Sequence, residues 1–206
     1  MTDEPSRETR AEAQRHFQQG YEAQMQGRLE EAVAHYQRSI TLHPTAEAHT
    51  FLGWAYSYQG RPEDAIAQCK IAISVDPDFG NPYNDIGAYL IELGREEEAV
   101  AWLERAKQAA RYEPRHYPYF NLARIHVKRH EILAAIRELE GALALEPRYV
   151  TARKELHRLR GLLNCPRSRS RSTTIPSSSG TTRPGACSPS APRRVTSRST
   201  RGARRP

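Results

Sequence analysis

The chain of 206 residues carries a net charge of +7, and its positive charge is concentrated at the C-terminal end. Residues 164–206 contain 10 Arg and no Lys, Asp or Glu, so residues 1–163 carry a net charge of −3 and the basic composition is no evidence that they hold a nucleic-acid surface. The start lacks the apolar run of a signal peptide, and no stretch approaches the roughly 18 apolar residues that span a bilayer. The 3 cysteines are too few for a disulfide scaffold. We therefore expect a cytoplasmic protein with reduced thiols and no membrane partner.

A pattern recurs along residues 13–163 with a period of about 34 residues. Gly20, Gly53 and Gly87 follow it, and alanines, a second set of glycines and prolines recur in step. A period of this length indicates one helical hairpin per unit, stacked on its neighbours because a single hairpin cannot bury its apolar face. The pattern predicts an all-α fold rather than a catalytic one.

Residues 1–12 are a predicted flexible N-terminus, followed by units at 13–45 and 46–79. The second unit has a helix ending near Gly60 and another beginning at Pro62, where a proline costs no helical hydrogen bond. On the second helix, Ala65, Cys69 and Ala72 lie at the spacing of a buried face. Cys69 is therefore interpreted as a small core residue and not as a nucleophile.

The second unit resembles the tetratricopeptide repeat, a 34-residue helix-turn-helix motif. Matching positions are Leu52, Gly53, Tyr56, Gly60, Ala65, Ala72 and Pro77. The first unit matches at Gly20, Gly27, Ala32, Tyr36 and Pro44, but it has Gln19 and Ala23 where the motif has larger apolar residues. The poorly filled first unit leaves open a homo-oligomer built through that end.

Two further units and a closing helix complete the predicted array. The third unit, 80–115, has Arg111 where the motif has proline and Pro114 three residues later, which predicts a longer second helix or connection. The fourth, 116–148, has His126 and His130 at the usual aromatic and turn-glycine positions. Residues 149–163 resemble the helix that caps such arrays, so the fold class is a right-handed α-solenoid of about four repeats plus a capping helix.

The tail, residues 164–206, is rich in Arg, Ser and Pro, and we predict that it is disordered because it cannot bury enough apolar surface. Residues 167–172 alternate Arg and Ser as in RNA-associated proteins, which gives an alternative function in which the tail contacts nucleic acid. A solvated extension is the simpler interpretation, and an out-of-frame or unselected extension is a third.

The resemblance implies a concave groove lined by the first helix of each repeat, which receives an extended peptide or a helix. Its positions here would be Gln14, Phe17, Tyr21, Gln24, Glu47, Thr50, Trp54, Ser57, Asn81, Asn84, Ala88, Ile91, Tyr117, Phe120, Arg124 and Val127, with Asn121 nearby. Aromatic, Arg and Asn side chains suit such an interface. We predict that partners bind to Phe17, Tyr21, Thr50, Trp54, Asn81, Asn84, Tyr117, Phe120, Asn121 and Arg124.

The predicted function is that of a non-enzymatic scaffold or adaptor that binds another protein and needs no cofactor or metal. The best catalytic-looking cluster, His126, His130 and Glu131, falls at structural positions of the fourth repeat. Chaperone-binding members of the family hold a terminal carboxylate with Lys and Arg, but this chain has Phe17, Tyr21, Phe51 and Asp85 at those positions. We therefore do not expect a chaperone C-terminus as the ligand.

Overall fold

The computed structural model describes residues 6–164, and these form an all-α array, as predicted. The predicted disordered tail lies outside the described residues, apart from Asn164 at the end of the last helix. The helices are α1 (Arg7–Met25), α2 (Leu29–Leu42), α3 (Ala46–Tyr58), α4 (Pro62–Val75), α5 (Asn81–Glu92), α6 (Glu96–Gln108), α7 (Tyr117–Lys128), α8 (Ile132–Leu145) and α9 (Val150–Asn164). Consecutive pairs from α1 to α8 form four hairpins, and α9 packs on α8.

The first helix is longer than predicted, so the flexible N-terminus does not extend to residue 12. The helix begins at Arg7, and the Ser6 hydroxyl accepts a hydrogen bond from the backbone N–H of Thr9 at 3.2 Å. Ser6 thus caps one of the free N–H groups that every helix start exposes. The composition of residues 7–12 did not indicate this start, because these residues are mostly polar and mostly exposed.

The turn inside each hairpin has one backbone geometry, repeated four times. Gly27, Gly60 and Gly94 have φ angles of 75°, 74° and 73°, and the residue after each donates its N–H to a carbonyl five positions earlier. This left-handed termination favours glycine. His130 occupies the corresponding place in the fourth hairpin with φ of 59°, which confirms that it replaces the turn glycine.

Small residues let the two helices of each hairpin approach closely. The second helices of the last three hairpins each carry a pair of alanines at equivalent positions, and all are fully buried: Ala65 with Ala72, Ala99 with Ala106 and Ala135 with Ala142. Cys69 is buried among them, as expected. The cap behaves as predicted over most of its length, because Ala152, Leu156 and Leu159 are buried against the fourth repeat, whereas Leu163 is half exposed.

The connection between the third and fourth repeats is longer than the others, at residues 109–116. Helix α6 ends at Gln108, so the departure from the repeat pattern lengthens the loop rather than the helix. The loop runs beside the connection between α4 and α5, where the Arg111 carbonyl accepts from Gly80 at 2.9 Å and the Arg111 N–H donates to Asp78 at 3.0 Å. The two connections are therefore held together by backbone pairing.

Candidate partner-binding groove

The first helices of the four hairpins lie side by side. Helix α3 contacts both α1 and α5, and α5 contacts α7. Within residues 6–164, neighbouring second helices make no comparable contact with one another, and each packs instead on the first helix of the next repeat. One face of the array is thus formed by α1, α3, α5 and α7, the helices on which the groove residues were predicted.

Aromatic side chains connect the first two repeats on this face. The Phe51 ring centroid lies 5.1 Å from that of Phe17, 5.9 Å from Tyr21 and 4.4 Å from Trp54. Phe17 is half-buried and packs on the core, whereas Tyr21 keeps 38% of its surface exposed. Of the two α1 residues predicted to bind a partner, Tyr21 is the more accessible.

Trp54 joins the second repeat to the third. Its indole Nε1 donates a hydrogen bond to the Asp85 carboxylate Oδ2 at 2.5 Å, and its ring is partly buried against the core. Trp54 therefore stabilises the stacking of α3 on α5 in addition to any contact with a partner, so truncating it would weaken the fold as well as binding.

Two of the predicted asparagines link the third repeat to the fourth. Asn121 Nδ2 donates to Asn84 Oδ1 at 3.0 Å, and Asn84 Nδ2 donates to Asp85 Oδ1 at 3.4 Å. Arg124 donates to Asn121 Oδ1 at 3.1 Å. Both asparagines are more than nine-tenths buried, and their amides bond to each other across the repeat interface and to Asp85 and Arg124 within their own repeats. Asn81 is more open, and its amide donates to the Glu113 carbonyl at 3.3 Å.

Thr50 does not line the groove, contrary to prediction. Its side chain is fully buried, and its hydroxyl donates to the Ala46 carbonyl at 2.7 Å, one helical turn earlier. Counting from the start of the repeat put it on the inner face, but the close approach of neighbouring helices covers that position. Gln24 and Ile91 are buried in the same way.

A cavity of about 280 Å³ opens on this face where α3, α5, α7 and the 109–116 loop meet. It is lined by Trp54, Asn81, Asn84, Asp85, Tyr112, Pro114, Tyr117 and Asn121. Five of these residues were predicted to bind a partner. Tyr112 and Pro114 were missed because they lie in the long connection rather than on a first helix, although the displaced proline of the third repeat was a signal that this segment differs.

Contacts of Arg111 and the glycine at residue 80 fix the position of the loop that supplies Tyr112. The Arg111 guanidinium donates to Glu47 at 2.9 Å, pairs with Asp76 and lies 4.8 Å from the Phe79 ring centroid. A Cβ atom on Gly80 would lie 2.4 Å from the Tyr112 Cβ. The loop can therefore pass this close to the start of α5 only because residue 80 is glycine.

Asp85 brings an unusual charge to the cavity. It is partly exposed, and burial raises the pKa of its carboxyl to about 7, although the hydrogen bonds from Trp54 and Asn84 act to lower that pKa. The Tyr112 hydroxyl is buried and has no hydrogen-bond partner among the described residues. Burial, followed by the nearby charge of Asp85, raises the pKa of Tyr112. The cavity thus contains an acid and a phenol whose polar atoms are incompletely satisfied.

The remaining predicted residues lie towards the capping helix. Tyr117 is 40% exposed, Arg124 is exposed, and the half-buried Phe120 ring lies 5.2 Å from Tyr149. Phe120 and Arg124 also border a mainly apolar cavity of about 520 Å³ between α7 and α9. The structure therefore separates the predicted residues into an aromatic cluster at one end, a cavity that contains the Asp85 carboxyl in the middle and a larger cavity near the cap.

The described residues contain no group of three His, Cys, Asp or Glu side chains placed to hold a metal ion. His126 Nδ1 lies 2.6 Å from Glu131 Oε2, while His130 is exposed in its turn. Burial raises the pKa of Cys69, which opposes formation of a reactive thiolate. None of the helices within residues 6–164 is both long and apolar enough to cross a membrane.

Comparisons with known proteins agree with this architecture. The tetratricopeptide repeat family model matches residues 17–78 and 52–114. Among solved structures, PilF from Pseudomonas aeruginosa is 24% identical, with a TM-score of 0.70 over 75% of this chain and 70% of PilF. PilW, a type IV pilus biogenesis factor, is 23% identical, with a TM-score of 0.66 over 73% and 69%. MamA is 21% identical, with a TM-score of 0.60 over 73% and 83%. No curated protein sequence matches the chain.

Proposed function

Because the chain belongs to the tetratricopeptide repeat family, whose repeats build protein-interaction scaffolds, we propose that it binds a segment of another protein along the face formed by α1, α3, α5 and α7. The partner segment would be an extended peptide or a helix. Tyr21, Tyr117 and Arg124 supply exposed aromatic and Arg side chains of the kind that dominate interface energies.

The observation that carries the proposal is the cavity among α3, α5, α7 and the 109–116 loop. This cavity holds incompletely satisfied polar atoms on an otherwise packed face. A ligand that satisfies them gains more binding free energy there than on a flat surface. It draws residues from three consecutive repeats and lies in the middle of the face, where interface hot spots are usually found.

One feature of the cavity restricts the kind of partner. The negative charge at Asp85 opposes a partner carboxylate, which supports the expectation that a chaperone C-terminus is not the ligand. Members of this repeat family are typically non-enzymatic, and a scaffold role needs no cofactor. Likenesses of 21% to 24% identity support the shared fold and do not extend to a shared partner.

The test is a selection of displayed random peptides on the full chain, followed by affinity measurements with two variants. The groove variant combines Tyr21→Ala, Tyr117→Ala and Arg124→Ala, all at exposed positions. The control combines Ile71→Ala, Leu133→Ala and Leu145→Ala, which are exposed on second helices. We expect the groove variant to lose more than about tenfold in affinity and the control to bind as the parent does. Peptides that bind both variants equally well would refute the groove.

The alternative function, RNA association through the basic tail, concerns residues outside the described range and stays a prediction, as do the cytoplasmic location and the homo-oligomer. Deleting residues 165–206 separates the two functions. Retained peptide binding with loss of RNA binding would show that the functions are independent, whereas peptide binding that disappears with the tail would refute the groove proposal.

A further inference from the structure

The cavity described above has a chemistry that restricts which side chain could enter it. Asp85 is the only carboxylate or other charged group among its lining residues, and it makes no ion pair with any described residue. The titratable groups whose pKa its charge affects are Cys69 on α4, Tyr112 in the loop and, on its own helix α5, Tyr89. All three are neutral acids near pH 7, so no cation in the described fold compensates the Asp85 charge.

Asp85 retains the capacity to accept further hydrogen bonds. Each of its oxygens accepts one bond, from Trp54 and from Asn84 respectively, whereas an ionised carboxylate offers about four acceptor sites. Tyr112, which lines the same cavity, is more than nine-tenths buried, and its hydroxyl has no hydrogen-bond partner among the described residues. A ligand group with several N–H donors would fill the acceptor sites of Asp85 that remain open.

Aromatic rings form the walls around this acid. Trp54, Tyr112 and Tyr117 all line the cavity, and a cation placed over such a ring is attracted to its face. The volume of about 280 Å³ is at or below the lower limit of small-molecule pockets, so it suits one side chain of a larger ligand. A carboxylate would be repelled by Asp85, and an aliphatic group would cover the open acceptor sites of Asp85 without satisfying them, at a desolvation cost.

We propose that this cavity binds the basic side chain, Arg or Lys, of a partner segment, with Asp85 as its counterion and Trp54, Tyr112 and Tyr117 as its aromatic walls. The inference rests on the proposed function, since the basic side chain belongs to the segment lying along the first helices. It adds a specificity determinant that the repeat pattern alone did not indicate.

The test uses the two tryptophans of the chain as internal reporters. The Trp54 indole N–H donates to Asp85, so its resonance in a ¹H–¹⁵N spectrum responds to any cation at the carboxylate, while Trp102 packs beside Tyr83 and serves as the reference. The probes are N-acetyl-arginine amide and N-acetyl-lysine amide. Their neutral counterparts are the citrulline and norleucine amides, which retain similar shape without charge.

We expect the arginine or lysine probe to shift the Trp54 signal saturably and to leave Trp102 unmoved. The citrulline and norleucine probes should bind at least about tenfold more weakly. Asp85→Asn should abolish the difference between arginine and citrulline, whereas Asp78→Asn, which neutralises an exposed loop carboxylate, should preserve it. Equal binding of arginine and citrulline, or no response of Trp54 to either basic probe, would overturn the proposal.

The inference and the proposed function fail in different ways. If selected peptides depend on the groove but show no enrichment of Arg or Lys and bind Asp85→Asn normally, the groove stands and the basic-side-chain site is refuted. If the basic probes bind at Asp85 while no selected peptide depends on the groove, the cavity stands and the peptide-binding function is refuted.

Discussion

Replacing Asp85 by Asn should stabilise the protein at neutral and alkaline pH. The folded-state pKa of about 7 lies well above the ordinary pKa of 3.8 for an aspartate, so the fold binds a proton that the unfolded chain has released. The stability contributed by this proton is complete below pH 3.8 and is lost as the pH rises towards 7. At about 1.4 kcal/mol for each pKa unit, the full loss is about 4 kcal/mol. Because Asp85 keeps some exposure, we expect about 1 to 2 kcal/mol.

The measurement is the free energy of unfolding in urea for the parent and Asp85→Asn between pH 4 and 8.5. The gain of the variant should be small near pH 4, grow up to pH 7 and then level off. Asp78→Asn, at an exposed position, serves as the control and should show no such growth. An Asp85→Asn protein that is less stable at pH 8, or a gain that does not change with pH, would refute the argument that Asp85 is an uncompensated buried charge.

Three further predictions concern the turn, the loop and the pH dependence of binding. His130→Gly should raise the free energy of unfolding by about 1 kcal/mol because His130 is held at φ of 59°; an unchanged urea midpoint would argue against strain in this turn. Gly80→Ala should lower the free energy of unfolding by about 1 to 3 kcal/mol, because the new Cβ would collide with Tyr112. The control, Gly161→Ala, places its Cβ where nothing lies within 4 Å and should not lower the free energy of unfolding in the same urea titration. The affinity for N-acetyl-arginine amide, followed through the Trp54 signal, should rise by about 30-fold from pH 5.5 to 8 as the Asp85 carboxyl ionises. If Asp85→Asn shows the same rise, the pH dependence comes from another group, such as His116 beside Tyr117.

The repeat architecture could be predicted from the sequence because each hairpin depends on local chemistry. These local features are glycines at the turns, alanine pairs on the second helices and prolines at helix starts. All of them act within about 34 residues, so the structure inferred for one repeat also predicts that of the next. The same reasoning failed at Thr50, because whether a residue faces a groove or a neighbouring helix depends on how closely two repeats stack. It also missed Tyr112, which reaches the face only through pairing of two connections around Arg111 and Gly80.

Asp85 shows most clearly the difference between features that local sequence predicts and features that depend on packing between repeats. In the sequence, Asp85 indicates only that a carboxylate ligand is disfavoured. Its importance depends on Trp54 in the preceding repeat and on Tyr112 in the following connection, neither of which is near it in sequence. Interactions across repeats of this kind have no fixed spacing in a repeat motif, since the motif describes what all repeats share.

The bonds from Trp54 to Asp85 and from Asn121 to Asn84 cross two successive repeat interfaces. In a linear array, stability is a sum of unit energies and nearest-neighbour couplings, and weak coupling allows end units to fray independently. A ligand seated among these residues would strengthen both couplings together, so that repeats two to four unfold as a single cooperative block. Occupancy of the cavity would then be visible at a distance, as slower amide exchange in α4 and α6, helices that no ligand in the groove would touch.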